Sequence, residues 1–180
     1  MKVVGTGITI FDVINIFIEL MDSKRLLSEL SKVFFPVEIV ENFELTEINN
    51  YPDYIEIRFN ELSELVPEEL SGKEGVIKDG FLNPIELQTF PAKGKPLYLK
   101  LYRRRWKIRG EQESYWNNYQ FNPYGIKATK RFAGFIKKLF QSFSTNISLI
   151  SKAMLVDRKK LWRWKKIMVE DSPNSVNAEE

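Results

Sequence analysis

The hydrophobic pattern of this chain changes from a strand period to a helical period in its second half, and this change constrains the fold more than any other feature. Apolar and polar residues alternate over 54–59, 85–90 and 97–108, which is the pattern of half-buried strands. From residue 128 the apolar residues recur at helical spacing. The helical stripe consists of Phe132, Phe135, Ile136, Leu139, Phe140 and Phe143. We therefore predict an α+β protein whose C-terminal part is helical.

The alternating part predicts two β-hairpins. The first joins strands over 38–47 and 54–59, and the second joins strands over 85–90 and 97–108 through a turn at 91–96. Between the hairpins, glycines at positions 72, 75 and 80 predict a flexible join, and residues 62–70 read as irregular or briefly helical.

Two helices are expected before the hairpins. Residues 11–18 and 26–34 carry apolar side chains at helical spacing, and Pro36 ends the second helix. The apolar run over 8–20 is too short for a membrane span and contains Asp12 and Glu19, so we interpret it as an amphipathic helix.

We divide the chain into four regions. Residues 1–72 form an acidic region of helices and a hairpin, and 73–126 form a basic β region. Residues 127–168 form a three-helix unit, and 169–180 form a disordered acidic tail.

Charge is segregated along the sequence. Residues 1–92 hold 7 lysines and arginines against 17 aspartates and glutamates, a net charge of −10. Residues 93–166 hold 20 against 3, a net charge of +17. Solvated faces account for many charge runs, but this imbalance favours a polyanionic partner, and nucleic acid is the natural one.

The chain contains no cysteine and no histidine. This excludes disulfides, thiol nucleophiles, Cys/His zinc sites and the commonest general base. A two-metal phosphoryl-transfer site needs several convergent carboxylates, and the basic segment offers only Glu111, Glu113 and Asp157. We therefore expect no catalytic site, no metal and no cofactor; a nuclease is the alternative that metal-dependent cleavage would reveal.

The C-terminal part predicts three helices that share a core. Ser144, Thr145 or Asn146 can cap a helix that runs to Met154, and Asp157 can cap the next. Apolar residues of the two short helices then face each other: Ile147, Ile150, Met154, Val156, Leu161 and Trp164. In such units the last helix enters the major groove. The alternative is a basic amphipathic helix that only covers the core.

The segment 150–164 resembles the helix-turn-helix of many transposases and site-specific recombinases, especially in its closing Leu161-Trp162-Arg163-Trp164. That family usually has glycine at the turn, where a left-handed residue is needed, and alanine earlier in the motif. This chain has Leu155 and Ser151 at those positions.

A longer resemblance covers residues 80–138 and extends more loosely over 26–69. The matching segments are Gly80-Phe81-Leu82-Asn83-Pro84-Ile85, Gln88-Thr89-Phe90-Pro91-Ala92-Lys93-Gly94-Lys95, Tyr98-Leu99, Arg103-Arg104-Arg105-Trp106, Trp116-Asn117 and Thr129-Lys130-Arg131-Phe132-Ala133-Gly134-Phe135-Ile136-Lys137. Together they resemble the N-terminal-region proteins of ISAon-type insertion-sequence transposases. The resemblance implies a first reading frame, followed by a second that encodes a catalytic Asp-Asp-Glu domain.

The second hairpin also resembles the zinc-ribbon head of related transposases, but without its cysteine pairs. The resemblance implies that apolar packing by Trp106, Trp116, Tyr119 and Phe121 replaces the metal, and that Arg103 to Arg105 face phosphate.

We therefore expect a non-catalytic subunit that recognises transposon ends in the bacterial cytoplasm, at the nucleoid, together with a separately encoded catalytic subunit. It has no membrane role, and a homodimer is compatible with it. The expected DNA-binding residues are Arg103, Arg104, Arg105, Lys107, Arg109, Lys130, Arg131, Arg158, Lys159, Lys160, Arg163 and Lys166. The alternatives are a stand-alone transcriptional regulator and an RNA-binding protein, since arginines interleaved with aromatic residues also suit single strands.

Overall fold

The computed structural model describes residues 25–142 and 146–170. The contacts divide the chain into two units, residues 1–41 and 42–180. Residues 25–34 form helix α1, as predicted, and the helix ends before Pro36. The helix expected over 11–18 and the tail from 171 lie outside the described residues, whereas 169–170 belong to a helical turn and not to the tail.

Helix α2, Val37–Asn42, occupies the start of the first predicted strand. The strand prediction is therefore wrong for residues 38–42. The carbonyl of Pro36 accepts hydrogen bonds from the amides of Ile39 (2.9 Å) and Val40 (3.2 Å). These bonds form the first turn of α2. Of the residues of this helix, only Ile39 is buried.

The first hairpin consists of β1, Phe43–Asn50, and β2, Ile55–Glu61. Burial alternates along β2 as predicted: Ile55, Ile57 and Phe59 are buried, and the residues between them are partly exposed. A short 3₁₀ helix, Glu68–Leu70, follows. This fits the irregular or briefly helical segment that the sequence predicts.

The second hairpin consists of β4, Ile85–Ala92, and β5, Lys95–Tyr102. Lys93 and Gly94 form its two-residue turn with φ values of 51° and 72°. Positive φ at both positions matches the right-handed twist of the flanking strands. This turn lies inside the segment 91–96 that the sequence predicts for it.

The two hairpins belong to one sheet of order β1-β2-β5-β4. Strand β2 pairs in parallel with β5, and Ile57 lies beside Leu99. This pairing unites the apolar rows of both hairpins on the same face. Strands from both sides of the predicted boundary at residue 72 therefore share hydrogen bonds.

The strand predicted over 97–108 is divided at Arg103. Strand β6, Arg104–Ile108, leaves the four-stranded sheet and pairs with β3, Val76–Phe81, in a second sheet. The segment 76–81 is thus a strand and not a flexible join. The break also changes which residues are buried: Leu99 and Leu101 are buried before it, and Trp106 after it.

Three helices follow at the predicted positions: α3 Lys130–Ser142, α4 Ile147–Met154 and α5 Arg158–Lys165. A π-helical turn, Lys166–Glu170, continues α5. Thr129 caps α3 by accepting the amide of Phe132 at 3.3 Å. The helices share one buried cluster, which includes Phe132, Ile136, Phe140, Ile147, Ile150, Val156, Leu161, Trp164 and Met168. Of the predicted stripe, Phe135 is 38% exposed and Phe143 lies outside the described residues.

The helices are attached to the free edge of β4. The amide of Gln88 donates to the carbonyl of Lys127 (3.2 Å), and the amide of Thr129 donates to the carbonyl of Gln88 (3.0 Å). The predicted boundary at residue 126 is therefore crossed by a short strand-like pairing. None of the described helices is both long and apolar enough to cross a membrane.

Candidate nucleic-acid interface

Helix α5 presents a row of exposed side chains along one side. Leu161 and Trp164 are fully buried in the helical cluster. The exposed residues recur one turn apart, which places them on one face. They are Arg158, Lys159, Trp162, Arg163 and Lys166. We call these five residues the α5 row. Within the described part of the chain, none of its four cations forms an ion pair.

The two short helices begin at the caps that the sequence predicts. The side chain of Asn146 accepts the amide of Leu149 at 3.2 Å, and that of Asp157 accepts the amide of Lys160 at 3.0 Å. A cap of this kind contributes about 1 kcal/mol to the stability of a helix. Asp157 therefore fixes where α5 begins, and with it the direction of the α5 row.

The turn between α4 and α5 forms without glycine. Leu155 has φ 52° and ψ 42°, the left-handed conformation expected at this position. The amide of Val156 donates to the carbonyl of Ser151 (3.2 Å), and the hydroxyl of Ser151 donates back to the carbonyl of Val156 (2.7 Å). Ser151 thus adds a hydrogen bond to a turn in which Leu155 holds a strained, left-handed conformation.

Gln88 of β4 holds this turn against the sheet. Its side chain is 1% exposed; Nε2 donates to the carbonyl of Leu155 at 2.9 Å, and Oε1 accepts from Nζ of Lys160 at 3.0 Å. Sequence reasoning missed this residue, because the alternation of β4 places it on the polar side of the hairpin. Nothing local indicates that helices cover that position.

Lys160 lies apart from the α5 row, although the sequence placed it among the DNA-binding residues. Its Nζ is bound to Gln88 and lies 5.7 Å from the ring of Tyr98 and 5.2 Å from that of Trp164. Burial is the main cause that lowers the pKa of Lys160, and the charge of Arg163 acts in the same direction. We therefore assign Lys160 to the support of the turn.

Helix α3 contributes exposed cations at its first turn. Lys130 and Arg131 are both exposed, and the guanidinium of Arg131 lies 5.9 Å from the ring of Phe90. Lys138 is exposed further along the helix, and Lys137 is half-buried. These positions agree with the polar face that the helical period predicts.

The arginines at the strand break are held by the protein itself. Nη1 of Arg103 donates to the carbonyl of Asn117 at 3.4 Å. The amide of Arg104 donates to the carboxylate of Glu61, its Nη2 donates to the carbonyl of Glu61 (3.1 Å), and its guanidinium lies 4.7 Å from the ring of Phe81. Both side chains are half-buried. They are less available to phosphate than the sequence suggests.

Asp79 offsets part of the positive charge on β6. Its carboxylate pairs with Arg105 and Lys107, each at 2.9 Å. The hydrogen bond from Lys107 is the main cause that lowers the pKa of Asp79, and the charge of Arg105 adds to it. Arg109, at the end of the strand, is exposed. The predicted phosphate-binding strand is therefore partly neutralised.

Glu61 is a second polar centre that sequence reasoning missed. It is fully buried at the end of β2, and its Oε1 accepts from Asn117 (2.8 Å) and from the hydroxyl of Tyr119 (2.6 Å). Burial, followed by the hydrogen bond to Glu61, raises the pKa of Tyr119. A signal was present in the sequence, since Glu61 continues the buried i, i+2 row of β2.

The four aromatic residues that the resemblance places where related proteins hold zinc differ in exposure. Trp106 and Phe121 are buried, and Tyr119 stacks on Phe121 with ring centroids 4.9 Å apart. Trp116 is 38% exposed. Among the described residues no group of three or more acidic side chains could hold a metal ion.

Comparisons with protein-family models, with curated proteins and with solved structures found no significant match to this chain.

Proposed function

We propose that this chain is a DNA-binding protein that lacks a catalytic site of its own and grips duplex DNA through the α5 row. The observation that carries the proposal is the α5 row itself: it holds four cations on one face of a short helix whose opposite face is buried, and none of the four forms an ion pair with the residues that the structure describes. A helix of this diameter fits the major groove, and arginine and lysine bind both phosphates and guanine edges.

Support for a polyanionic partner also comes from the charge of the whole segment. Residues 93–166 carry a net charge of +17, and the pairs with Asp79 and Glu56 offset only a small part of it. Such a surface would repel itself unless counterions or phosphates neutralised it.

The more specific role is the recognition of transposon ends, in partnership with a separately encoded Asp-Asp-Glu catalytic subunit. This part of the proposal depends on the resemblance to the ISAon-type N-terminal-region proteins, including Arg103-Arg104-Arg105-Trp106. The acidic segment 1–92 is then the candidate surface for the catalytic subunit.

Binding to a terminal repeat tests this role. A downstream reading frame for an Asp-Asp-Glu domain and flanking inverted repeats would supply the natural duplex. We expect the purified chain to bind this repeat more tightly than a scrambled duplex in a gel shift, and Arg163→Gln to remove the preference. Lys93→Gln, a change at an exposed hairpin turn, is the matched control. Equal affinity for both duplexes would contradict end recognition and leave general DNA binding.

A single-stranded nucleic acid is the second candidate ligand, and the sheet supplies the observation in its favour. Tyr98 and Tyr102 lie on the partly exposed face of β5, and the guanidinium of Arg58 lies 4.1 Å from the ring of Tyr102. Aromatic rings beside cations stack on unpaired bases. Competition by an unstructured RNA that displaces the duplex completely would favour this candidate.

A further inference from the structure

Trp162 occupies the middle of the α5 row. It is the fifth residue of α5 and is 55% exposed, whereas Trp106 and Trp164 are buried. Nζ of Lys165 lies 5.5 Å from the centre of its indole ring. An indole is the largest apolar surface that a side chain offers, so its exposure among cations calls for a partner that covers it.

The neighbours of Trp162 indicate the chemistry of this partner. Arg158 and Lys166 lie one turn before and one turn after it, and Arg163 lies beside it. The exposed residues of α5 include no acidic side chain. A polyanion complements such a surface, whereas an ordinary protein surface would leave four cations unpaired.

We infer that Trp162 is a specificity-determining residue that contacts thymine in the major groove; the inference rests on the proposed binding of duplex DNA. When the flanking cations bind phosphates on either side of the groove, the residue between them faces the base edges. The C5-methyl group of thymine is the apolar group that base pairs present there, and it is the natural contact for an apolar ring.

The expected effect follows from the burial of one methyl group. Removing a methyl from an apolar contact weakens binding about fourfold. Uracil differs from thymine only by this methyl group. When uracil replaces a thymine that contacts Trp162, the affinity of the protein for the duplex should therefore fall about fourfold.

The experiment is a double-mutant cycle between protein and DNA. A preferred duplex is first selected from a random library with the wild-type chain, and each thymine of the selected site is then replaced singly by uracil. Dissociation constants are measured by fluorescence anisotropy for wild type, for Trp162→Ala and for the control Trp116→Ala. Trp116 is also exposed but lies outside the helical cluster.

The inference predicts one or two positions at which uracil weakens DNA binding by wild type and by Trp116→Ala about fourfold. At the same positions, uracil should leave the affinity of Trp162→Ala unchanged. It is overturned if uracil has no effect at any position, or if it weakens Trp162→Ala as much as wild type. Unchanged DNA binding by Trp162→Ala, with loss of self-association in sedimentation, would instead identify a protein contact and also overturn it. If the wild-type chain binds no duplex at all, the proposed function itself fails, which is a distinguishable result.

Discussion

The side chain of Gln88 joins the sheet to the turn that orients α5, and its replacement by leucine isolates that connection. Leucine has nearly the same size but makes neither the bond to the carbonyl of Leu155 nor the bond from Lys160. The first is a neutral bond worth about 1 kcal/mol. The second involves an ammonium group, and because Lys160 is only half-buried we assign it about 1–2 kcal/mol.

We therefore expect Gln88→Leu to lower the free energy of unfolding by about 2–3 kcal/mol, which corresponds to roughly 5–10 °C in Tm for a chain of this size. Urea denaturation followed by circular dichroism measures the first quantity. The control is Gln120→Leu, because Gln120 is exposed and its replacement should change stability by less than about 0.5 kcal/mol.

A second substitution separates support from DNA contact. In the Gln88→Leu background, Lys160→Met removes an ammonium that has already lost its partner, so the two changes should cost less together than their sum. Lys160→Met alone should weaken DNA binding less than Arg163→Gln. A stability of Gln88→Leu equal to wild type, or a DNA defect of Lys160→Met larger than that of Arg163→Gln, would refute the assignment of Lys160 to the turn.

Three further predictions concern Asp79, Glu61 and the nuclease alternative. The folded-state pKa of Asp79 lies below its ordinary value of 3.8, so its carboxylate stabilises the fold above that pH, and this contribution is lost as the pH falls through the folded-state pKa. The difference in urea midpoint between wild type and Asp79→Asn should therefore be present at neutral pH and disappear in acid. A difference that stays constant with pH would contradict the pairing of Asp79 with Arg105 and Lys107. Glu61→Gln places an amide NH₂ against N–H and O–H groups that donate to the carboxylate in wild type. This should lower the free energy of unfolding by about 2–3 kcal/mol, against less than about 0.5 kcal/mol for the exposed Glu64→Gln. Equal urea midpoints for the two variants would disprove this prediction. The purified chain with Mg²⁺ or Mn²⁺ should leave supercoiled plasmid intact, and metal-dependent nicking that copurifies with the chain would support the nuclease alternative.

Local patterns predicted the elements whose causes are local. The stripe of α3, and the caps at Asn146 and Asp157, depend on residues within one or two turns of the chain. The turn of the second hairpin likewise depends on Lys93 and Gly94 alone. The left-handed residue of the helical turn was expected at Leu155 and lies there.

Features that depend on distant contacts were not accessible from the pattern. The parallel pairing of β2 with β5 joins residues about 40 positions apart, and no local signal specifies it. The same holds for the hydrogen bond between Gln88 and Lys160, which are 72 positions apart; the sequence pattern predicted Lys160 as a DNA-binding residue and assigned no role to Gln88. The strand is divided at Arg103 because its second part pairs with β3, and the glycines near β3 had suggested a flexible join at that position.

The charge pattern predicted a basic segment but not its availability. Arg104 donates to Glu61 and lies over the ring of Phe81, and Arg105 and Lys107 pair with Asp79. Among the described residues, the cations of the α5 row have no such ion pairs. A count of charges along the sequence treats all cations alike. Only the fold distinguishes cations that are exposed to solvent from cations that pair with carboxylates.

The salt dependence of DNA binding tests the central claim most directly. If about five cations, namely Arg158, Lys159 and Lys166 of the α5 row with Lys130 and Arg131, contact phosphates, affinity for a duplex should fall about 500-fold between about 50 and 200 mM salt. Arg158→Gln with Lys159→Gln should reduce the slope of log affinity against log salt by about 1.8, while Lys73→Gln with Lys93→Gln should leave it unchanged. A flat salt profile, or a slope that the two double variants change equally, would contradict the claim that this helix meets the phosphate backbone.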